Sequence, residues 1–439
     1  MMISANGVFQ ADQPLRWLSG ANAVLGGLGK RMRQHDSPFI LGWLARITNH
    51  RRTSLKTLHI IPSLEARYGG PAEALKRLAT ELRLSGHTVD IVCLDSSVHA
   101  DKTDDGAFDR VVRLGHYAGK YALSLRLIRW LKQHGRQYDG IVVDGIWQFH
   151  SAAAVFSLRP GNIPYFVMPH GMLDPWFNVG KPLKYAKKLI YWLFVERHVV
   201  NGAKGVLFTT ESERELARKA FPLYRARETT MTIGTAPPPS IGTTEIERWH
   251  APGESGNKKL ILFLGRIHEK KGCDLLIRSF HEIKDAAADY RLVIAGPDND
   301  GLAVKLRREA EQLGLSGRIT WLDMVKGTDK WSLLQAADVM ILPSHQENFG
   351  VVVVEALACG VPVLLTDKVG IWQEVVGDGA GLADEDTQQG ITRLLMQWTC
   401  LPEDTKTAMR VAAKQCFEDR FHVSRVAQNY IALMSGRIA

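Results

Sequence analysis

Two kinds of segment alternate along the chain. Unbroken apolar runs such as TLHIIPSL (57–64) and GVLFTT (205–210) are followed by stretches in which apolar residues recur every three or four positions. The first kind suits a strand buried on both faces of a parallel sheet, the second an amphipathic helix. After Tyr68-Gly69-Gly70-Pro71, a helical stripe of Ala74, Leu75, Leu78 and Leu82 stops at Gly86, and TVDIVCL (88–94) restarts a strand. YDGIVVDGI (138–146), PYFVMPHG (164–171), an amphipathic stretch at 183–200 and ESERELARKAF (211–221) continue the exchange. Strands and helices trading places predict an α/β fold with a doubly wound parallel sheet.

A second series of the same kind follows. Strands are expected at 259–265, 290–296, 318–322, 339–344 and 361–366, with helices at 273–284, 301–315 and 330–338 between them. The stretch 236–258 is rich in Pro, Gly, Ser and Thr and reads as an interdomain linker. A length of 439 residues exceeds what one hydrophobic core usually serves. The reading is therefore an extension over 1–56, a Rossmann-like domain over 57–240, a linker over 241–257, a second Rossmann-like domain over 258–415 and a terminal helical segment over 416–439. Two such domains leave a cleft between them.

Composition narrows the class. With 45% apolar and 23% charged residues the chain is an ordered globular protein. Its five cysteines are scattered, without a CxxC pair or a Cys/His cluster, and read as buried thiols of a reducing compartment. The first thirty residues lack a basic start followed by an apolar core, and no stretch of 18 or more residues is free of charge. Neither a signal peptide nor a membrane span is expected, which points to the cytoplasm.

The net charge of +9 is uneven: residues 1–56 hold eight Lys or Arg against two Asp. Nucleic acid would need base-reading or stacking elements, and none is evident. In 181–200, Lys181, Lys184, Lys187 and Lys188 lie among Tyr185, Tyr191, Trp192 and Phe194, a pattern that suits an anionic membrane surface. Each basic residue is worth roughly 1 kcal/mol there, so attachment would be reversible. A core-facing helix with a solvated lysine face is the plain alternative.

Two segments carry candidate chemistry. FLGRIHEKKG (263–272) stands where a strand ends and a helix begins, the edge at which α/β sheets bind ligands, so Arg266 and Lys271 are placed to hold an anion. It is neither a Walker loop nor GxGxxG, and LGGLGKR (25–31) fails both patterns too. HQENFGVVVVEALACG (345–360) has Glu347 and Glu355 eight positions apart. A helix starting near Gly350 puts Glu355 in its second turn and Glu347 in the loop before it. Carboxylates against an apolar wall are strong acceptors for sugar or ribose hydroxyls, whereas singly each would be an ordinary surface Glu. Asp298-Asn299-Asp300 and Asp384-Glu385-Asp386 could suggest metal binding, but both lie in polar loops where Asp favours turns.

In combination, GRIHEKKG, the Glu-x7-Glu segment, YGGPAEALKRLATELRLSGHTVDIV and PHGMLDPW resemble the retaining nucleotide-sugar glycosyltransferases of the GT4 family, from about residue 57 to the end. The resemblance implies a GT-B fold, an acceptor-binding first domain, a donor-binding second domain and closing helices that pack back toward the first. Arg266 and Lys271 would contact the diphosphate of a UDP- or GDP-hexose, Glu355 the ribose and Glu347 the transferred sugar. Asn348, Phe349 and Gly350 would offer backbone N–H groups. His170 would stand beside the hexose, and Gly69 and Gly70 would let a backbone approach the phosphates.

No cofactor is implied beyond the donor itself. A fixed Arg, a Lys and a helix N-terminus can stabilise the departing diphosphate without a metal. PHGMLDPW and YWLFVER look most like enzymes of bacterial surface polysaccharide assembly, implying a glycan or lipid-linked acceptor in exopolysaccharide or O-antigen synthesis, and a peripheral enzyme on the inner membrane face. Ile233-Gly234 departs from the Asn-Gly of many relatives. A nucleotide-sugar 2-epimerase or a phosphorylase-like enzyme of the same fold, and a non-catalytic membrane-associated scaffold, are the competing readings.

Overall fold

The computed structural model describes residues 54–65, 70–95, 106–115, 119, 121–158, 163–178, 182–250 and 258–437. The extension up to residue 53, Gly69 and Lys181 lie outside the described residues.

The first lobe is built on β1 (Lys56–Ile61), β2 (Thr88–Cys93), β3 (Arg110–Arg113), β4 (Gly140–Asp144), β5 (Phe166–Met168), β6 (Gly205–Phe208) and β7 (Glu228–Thr230). All pair in parallel in the order β3-β2-β1-β4-β5-β6-β7. Alternate residues of β2 serve opposite faces, Val89, Ile91 and Cys93 in one core and Val92 in the other. Because both faces are covered, the strands read as continuous apolar runs.

The second lobe repeats the plan with β8 (Lys259–Leu264), β9 (Tyr290–Ala295), β10 (Ile319–Leu322), β11 (Val339–Leu342), β12 (Val363–Thr366) and β13 (Gly381–Asp384). They lie parallel in the order β10-β9-β8-β11-β12-β13. The strand order reverses between β1 and β4 in one lobe and between β8 and β11 in the other. Crevices beyond the carboxyl ends of strands at such switch points are where α/β sheets take ligands.

The short edge strands β3, β7 and β13 are absent from the sequence reading, since three or four residues such as RVVR or ETT carry no apolar run. The linker is also shorter than it reads. Thr243–Glu247 is helical, Trp249 Nε1 donates to Ser332 Oγ at 2.9 Å and Arg248 pairs with Asp329, so the chain has joined the second lobe before residue 250.

Two crossings between the lobes lie side by side. Thr235 N–H donates to the Phe421 carbonyl and Val423 N–H to the Thr235 carbonyl, both at 3.0 Å. Ile233 packs against the core of the second lobe. Beyond the crossing, the helix Val423–Met434 buries Ala427, Tyr430, Leu433 and Met434 with Leu75, Ala79 and Leu82 of the helix Gly70–Leu84.

The basic segment runs as the α-helix Pro182–Tyr191, a π-helical turn Trp192–Glu196 and the α-helix Arg197–Asn201. Its aromatics divide differently from the membrane-facing set expected. Trp192 is fully buried, Tyr185 stacks on Phe221 and Tyr191 pairs with the Tyr121 hydroxyl, leaving Phe194 exposed with Leu183 and Ile190. The thiols also depart from expectation: Cys93, Cys273 and Cys416 are buried, Cys359 is half-buried and Cys400 is exposed. Among the described residues, no helix is long and apolar enough to cross a membrane.

Candidate active site

The two carboxylates of the Glu-x7-Glu segment sit in different surroundings. Gly350, in the left-handed region at φ 84°, caps the helix Val351–Ala358 and turns the chain from the loop into it, a conformation that glycine adopts without a Cβ clash. Val353, Val354, Ala356 and Leu357 are buried, so the β-branched run is the core side of a helix. Glu355, on the same helix, is only 3% exposed and is held between cations of both lobes. Its Oε1 accepts from Lys330 Nζ at 2.8 Å and from Arg77 Nη2 at 3.0 Å. Arg77 Nη1 also donates to Thr235 Oγ1 at 2.8 Å, at the crossing.

Glu347, in the loop, pairs with Lys271 Nζ. Its backbone is fixed by Glu347 N–H to Lys368 O at 3.0 Å and Gly370 N–H to Glu347 O at 2.9 Å. Arg266 stands exposed just beyond β8, and Lys271 closes a 3-10 turn that begins at Glu269. Burial lowers the neighbouring Lys270 ammonium while Glu347 pulls it the other way. Phe349 is buried edge-on against Phe421, so its side chain anchors the loop.

Asn348 meets Gly171, the residue after His170, across the lobes. Asn348 Nδ2 donates to Thr209 Oγ1 at 3.0 Å, and Glu213, which bonds Thr209, accepts Gly171 N–H at 2.5 Å. Gly171 is at φ 77°, and a Cβ there would lie 2.7 Å from Asn348 Cγ, so no larger residue fits between His170 and the glutamate loop. His170, itself at φ 52°, places Nε2 3.2 Å from Asp144 Oδ1. Asp144 Oδ2 lies 2.7 Å from His59 Nδ1, whose Nε2 is 2.9 Å from the Tyr430 hydroxyl. Burial alone would raise the Asp144 carboxyl, but His59 and His170 hold it down to about 2. A charged acceptor is thereby fixed behind His170.

Gly70 begins the Gly70–Leu84 helix with open space where a Cβ would be. The Asp-x-Asp segments have structural partners. Asp298 caps the backbone N–H groups of Leu302 and Ala303, and Asp384 pairs with Arg393.

A cleft of about 1020 Å³ opens at the carboxyl edge of the second sheet and is closed on one side by the first lobe. Its lining includes Glu347 and Asn348, but not Glu355, Arg266, Lys271, Gly70 or His170. Glu355 is already covered by Arg77 and Lys330, and His170 lines a separate small cavity with His59 and Asp144.

Several participants escaped the sequence reading. His59 and Asp144 were detectable as polar residues inside buried apolar runs. Arg77, Lys330, Thr209 and Glu213 carry no such mark, since only the packing of separate helices brings them to the site.

Residues 245–415 match the family model "Glycosyl transferases group 1", and residues 69–234 match "Glycosyl transferase 4-like domain". The chain belongs to the group 1 glycosyltransferases. Curated relatives of this glycosyltransferase include the D-inositol 3-phosphate glycosyltransferase of Mycobacterium tuberculosis, 38% identical over 126 residues. That match covers 28% of this chain and only a quarter of the relative's length. Among solved structures, Anabaena Alr3699/HepE in complex with UDP and glucose matches with a TM-score of 0.68 at 18% identity, over 87% of this chain and 100% of that one. WaaG, a glycosyltransferase involved in lipopolysaccharide biosynthesis, matches with a TM-score of 0.55 at 17% identity, over 87% and 100%. At such identities the structures establish the fold, GT-B.

Proposed function

We propose that this glycosyltransferase moves a hexose from UDP or GDP to a hydroxyl of a glycan carried on a lipid, with retention at the anomeric carbon. One observation carries the reading: Lys271 and Glu347 face each other at the switch-point edge, beside the N-terminus of the helix that bears Glu355. Arg266, Lys271 and that helix end would take the diphosphate, with Gly69 and Gly70 opposite. Glu355 would exchange Arg77 for the ribose hydroxyls. Glu347, His170 and the backbone of Asn348, Phe349 and Gly350 would surround the hexose.

In the step itself, the acceptor oxygen bonds to the anomeric carbon as the bond from that carbon to the β-phosphate oxygen breaks. The acceptor proton passes to the departing phosphate on the same face, giving the glycoside and the nucleoside diphosphate. The cations offset the charge that develops on the leaving group, so no metal or other cofactor is needed. The structures of Alr3699/HepE in complex with UDP and with UDP-glucose support the donor class. The polysaccharide role draws support from the WaaG likeness, and attachment to an anionic inner membrane face from Leu183, Ile190 and Phe194 exposed near Lys184 and Lys187.

The test is transfer of radiolabel from UDP- or GDP-hexose into a solubilised lipid extract of the cells that express the chain. Label should become organic-soluble, with release of an equal amount of nucleoside diphosphate. Equal transfer by the native chain and Glu347→Ala would reject the reading, and an epimerised sugar formed from donor alone would favour the epimerase.

A further inference from the structure

The contacts assigned to the donor reach the large cleft only at Glu347 and Asn348 and leave the rest of it without an occupant. We propose that this cleft is the acceptor site, and that it takes an uncharged, hydroxyl-rich glycan end rather than a phosphorylated or carboxylated one. The inference rests on the transferase reading above.

Three features of the cleft carry it. Its volume, about 1020 Å³, is at the upper end of the roughly 300–1,000 Å³ of small-ligand sites, ample for more than one sugar ring. Its charge runs against that of the chain: nine carboxylates line it against five lysines and arginines, in a protein of net charge +9. Lys271 pairs with Glu347, Arg77 and Lys330 pair with Glu355, and neither these three cations nor Arg266 belong to this lining. An anionic acceptor would meet like charge in the cleft, whereas sugar hydroxyls would find acceptors in carboxylates such as Glu215 and Glu269, both exposed.

The third feature is aromatic. Trp176 from the first lobe and Trp372 from the second both line the cleft, and Trp176 is 44% exposed. Lys270 Nζ lies over the Trp176 ring, 5.4 Å from its centroid, and the indole surface beyond that contact would take the C–H side of a sugar ring while the ring's hydroxyls bond elsewhere. Trp176 is also tied to the reacting centre. Asp174 accepts Trp176 N–H at 2.8 Å through one oxygen and Gln346 Nε2 at 2.7 Å through the other, and Gln346 adjoins Glu347.

The full chain, fluorescently labelled and saturated with whichever of UDP, GDP or ADP most raises its melting temperature, is applied to a glycan array with matched neutral, uronate and phosphorylated termini. Neutral termini alone should be retained. Trp176→Ala should lose that retention while keeping its nucleotide-induced thermal shift, which shows that it is folded. Glu215→Lys combined with Glu269→Lys should extend binding to phosphorylated termini. Retention of anionic termini by the native chain, retention of no terminus at all, or unchanged binding by Trp176→Ala overturns the proposal. Absence of any nucleotide shift in the native chain would instead sink the donor reading.

Discussion

Arg77 of the first lobe and Glu355 of the second are joined at 3.0 Å, with the carboxylate buried and Lys330 on the same oxygen. The residue proposed for the donor ribose is thus occupied by a cation of the opposite lobe. On that proposal the ribose hydroxyls would displace Arg77, so Arg77→Ala should tighten binding of the nucleoside diphosphate. The expected gain is up to about tenfold, roughly 1.4 kcal/mol, measured by isothermal titration calorimetry. Weaker binding would show that Arg77 itself holds the nucleotide.

Substitutions at the paired residues Lys271 and Glu347 test the proposed division between binding and chemistry. Lys271→Met should lower kcat by roughly 10²- to 10³-fold, the usual cost of removing one group that stabilises developing charge. Glu347→Ala should leave nucleotide binding in place while transfer fails. Equal losses in nucleotide affinity and kcat for Glu347→Ala would place that residue in ground-state binding.

Phe349 tests the anchoring of the loop. Buried against Phe421, it should cost about 3–5 kcal/mol on replacement by Ala, as other large-to-small core changes do. Urea denaturation should show the loss as a lower midpoint. A change below 1 kcal/mol would mean that the loop is held by its backbone bonds alone.

Glu196 provides a pH test. Burial pushes its carboxyl up to about 7, against hydrogen bonds from Ser151 and the Trp147 N–H that lower it. The folded state therefore holds the proton more tightly than the unfolded chain does. Its contribution is fully present below pH 4.5 and is lost as pH rises through 7. Relative to Glu196→Gln, the native chain should lose roughly 3 kcal/mol between pH 4.5 and 8. Parallel stability curves for the two proteins would contradict this.

Asp144 should show the opposite slope. Held at about 2 by its two histidines, it stabilises the fold above its ordinary value of 3.8, and that contribution is lost as pH falls through 2. Asp144→Asn should remove about 2 kcal/mol at pH 6 and little at pH 2, read from denaturation midpoints.

Much of this molecule was legible in one dimension. Strands buried on both faces must be apolar throughout, so β1, β2, β8, β9 and β11 declared themselves, and Gly350 marked where the helix bearing Glu355 begins. The motifs at 263–272 and 345–360 were legible because each candidate pair lies within one short segment, where local geometry sets the spacing. The edge strands β3, β7 and β13 were not legible, because three or four residues with one solvated side show no period.

What the sequence determined by itself was therefore the α/β class, the two-lobed plan and the positions of Arg266, Lys271, Glu347 and Glu355 along it. Tertiary structure alone decided their partners: Arg77 and Lys330 on Glu355, His59 and Tyr430 behind Asp144, and the acidic cleft with Trp176 beside Glu347. Those contacts join residues up to 371 positions apart. They depend on how helices of separate lobes pack, and no periodicity along the chain encodes that distance.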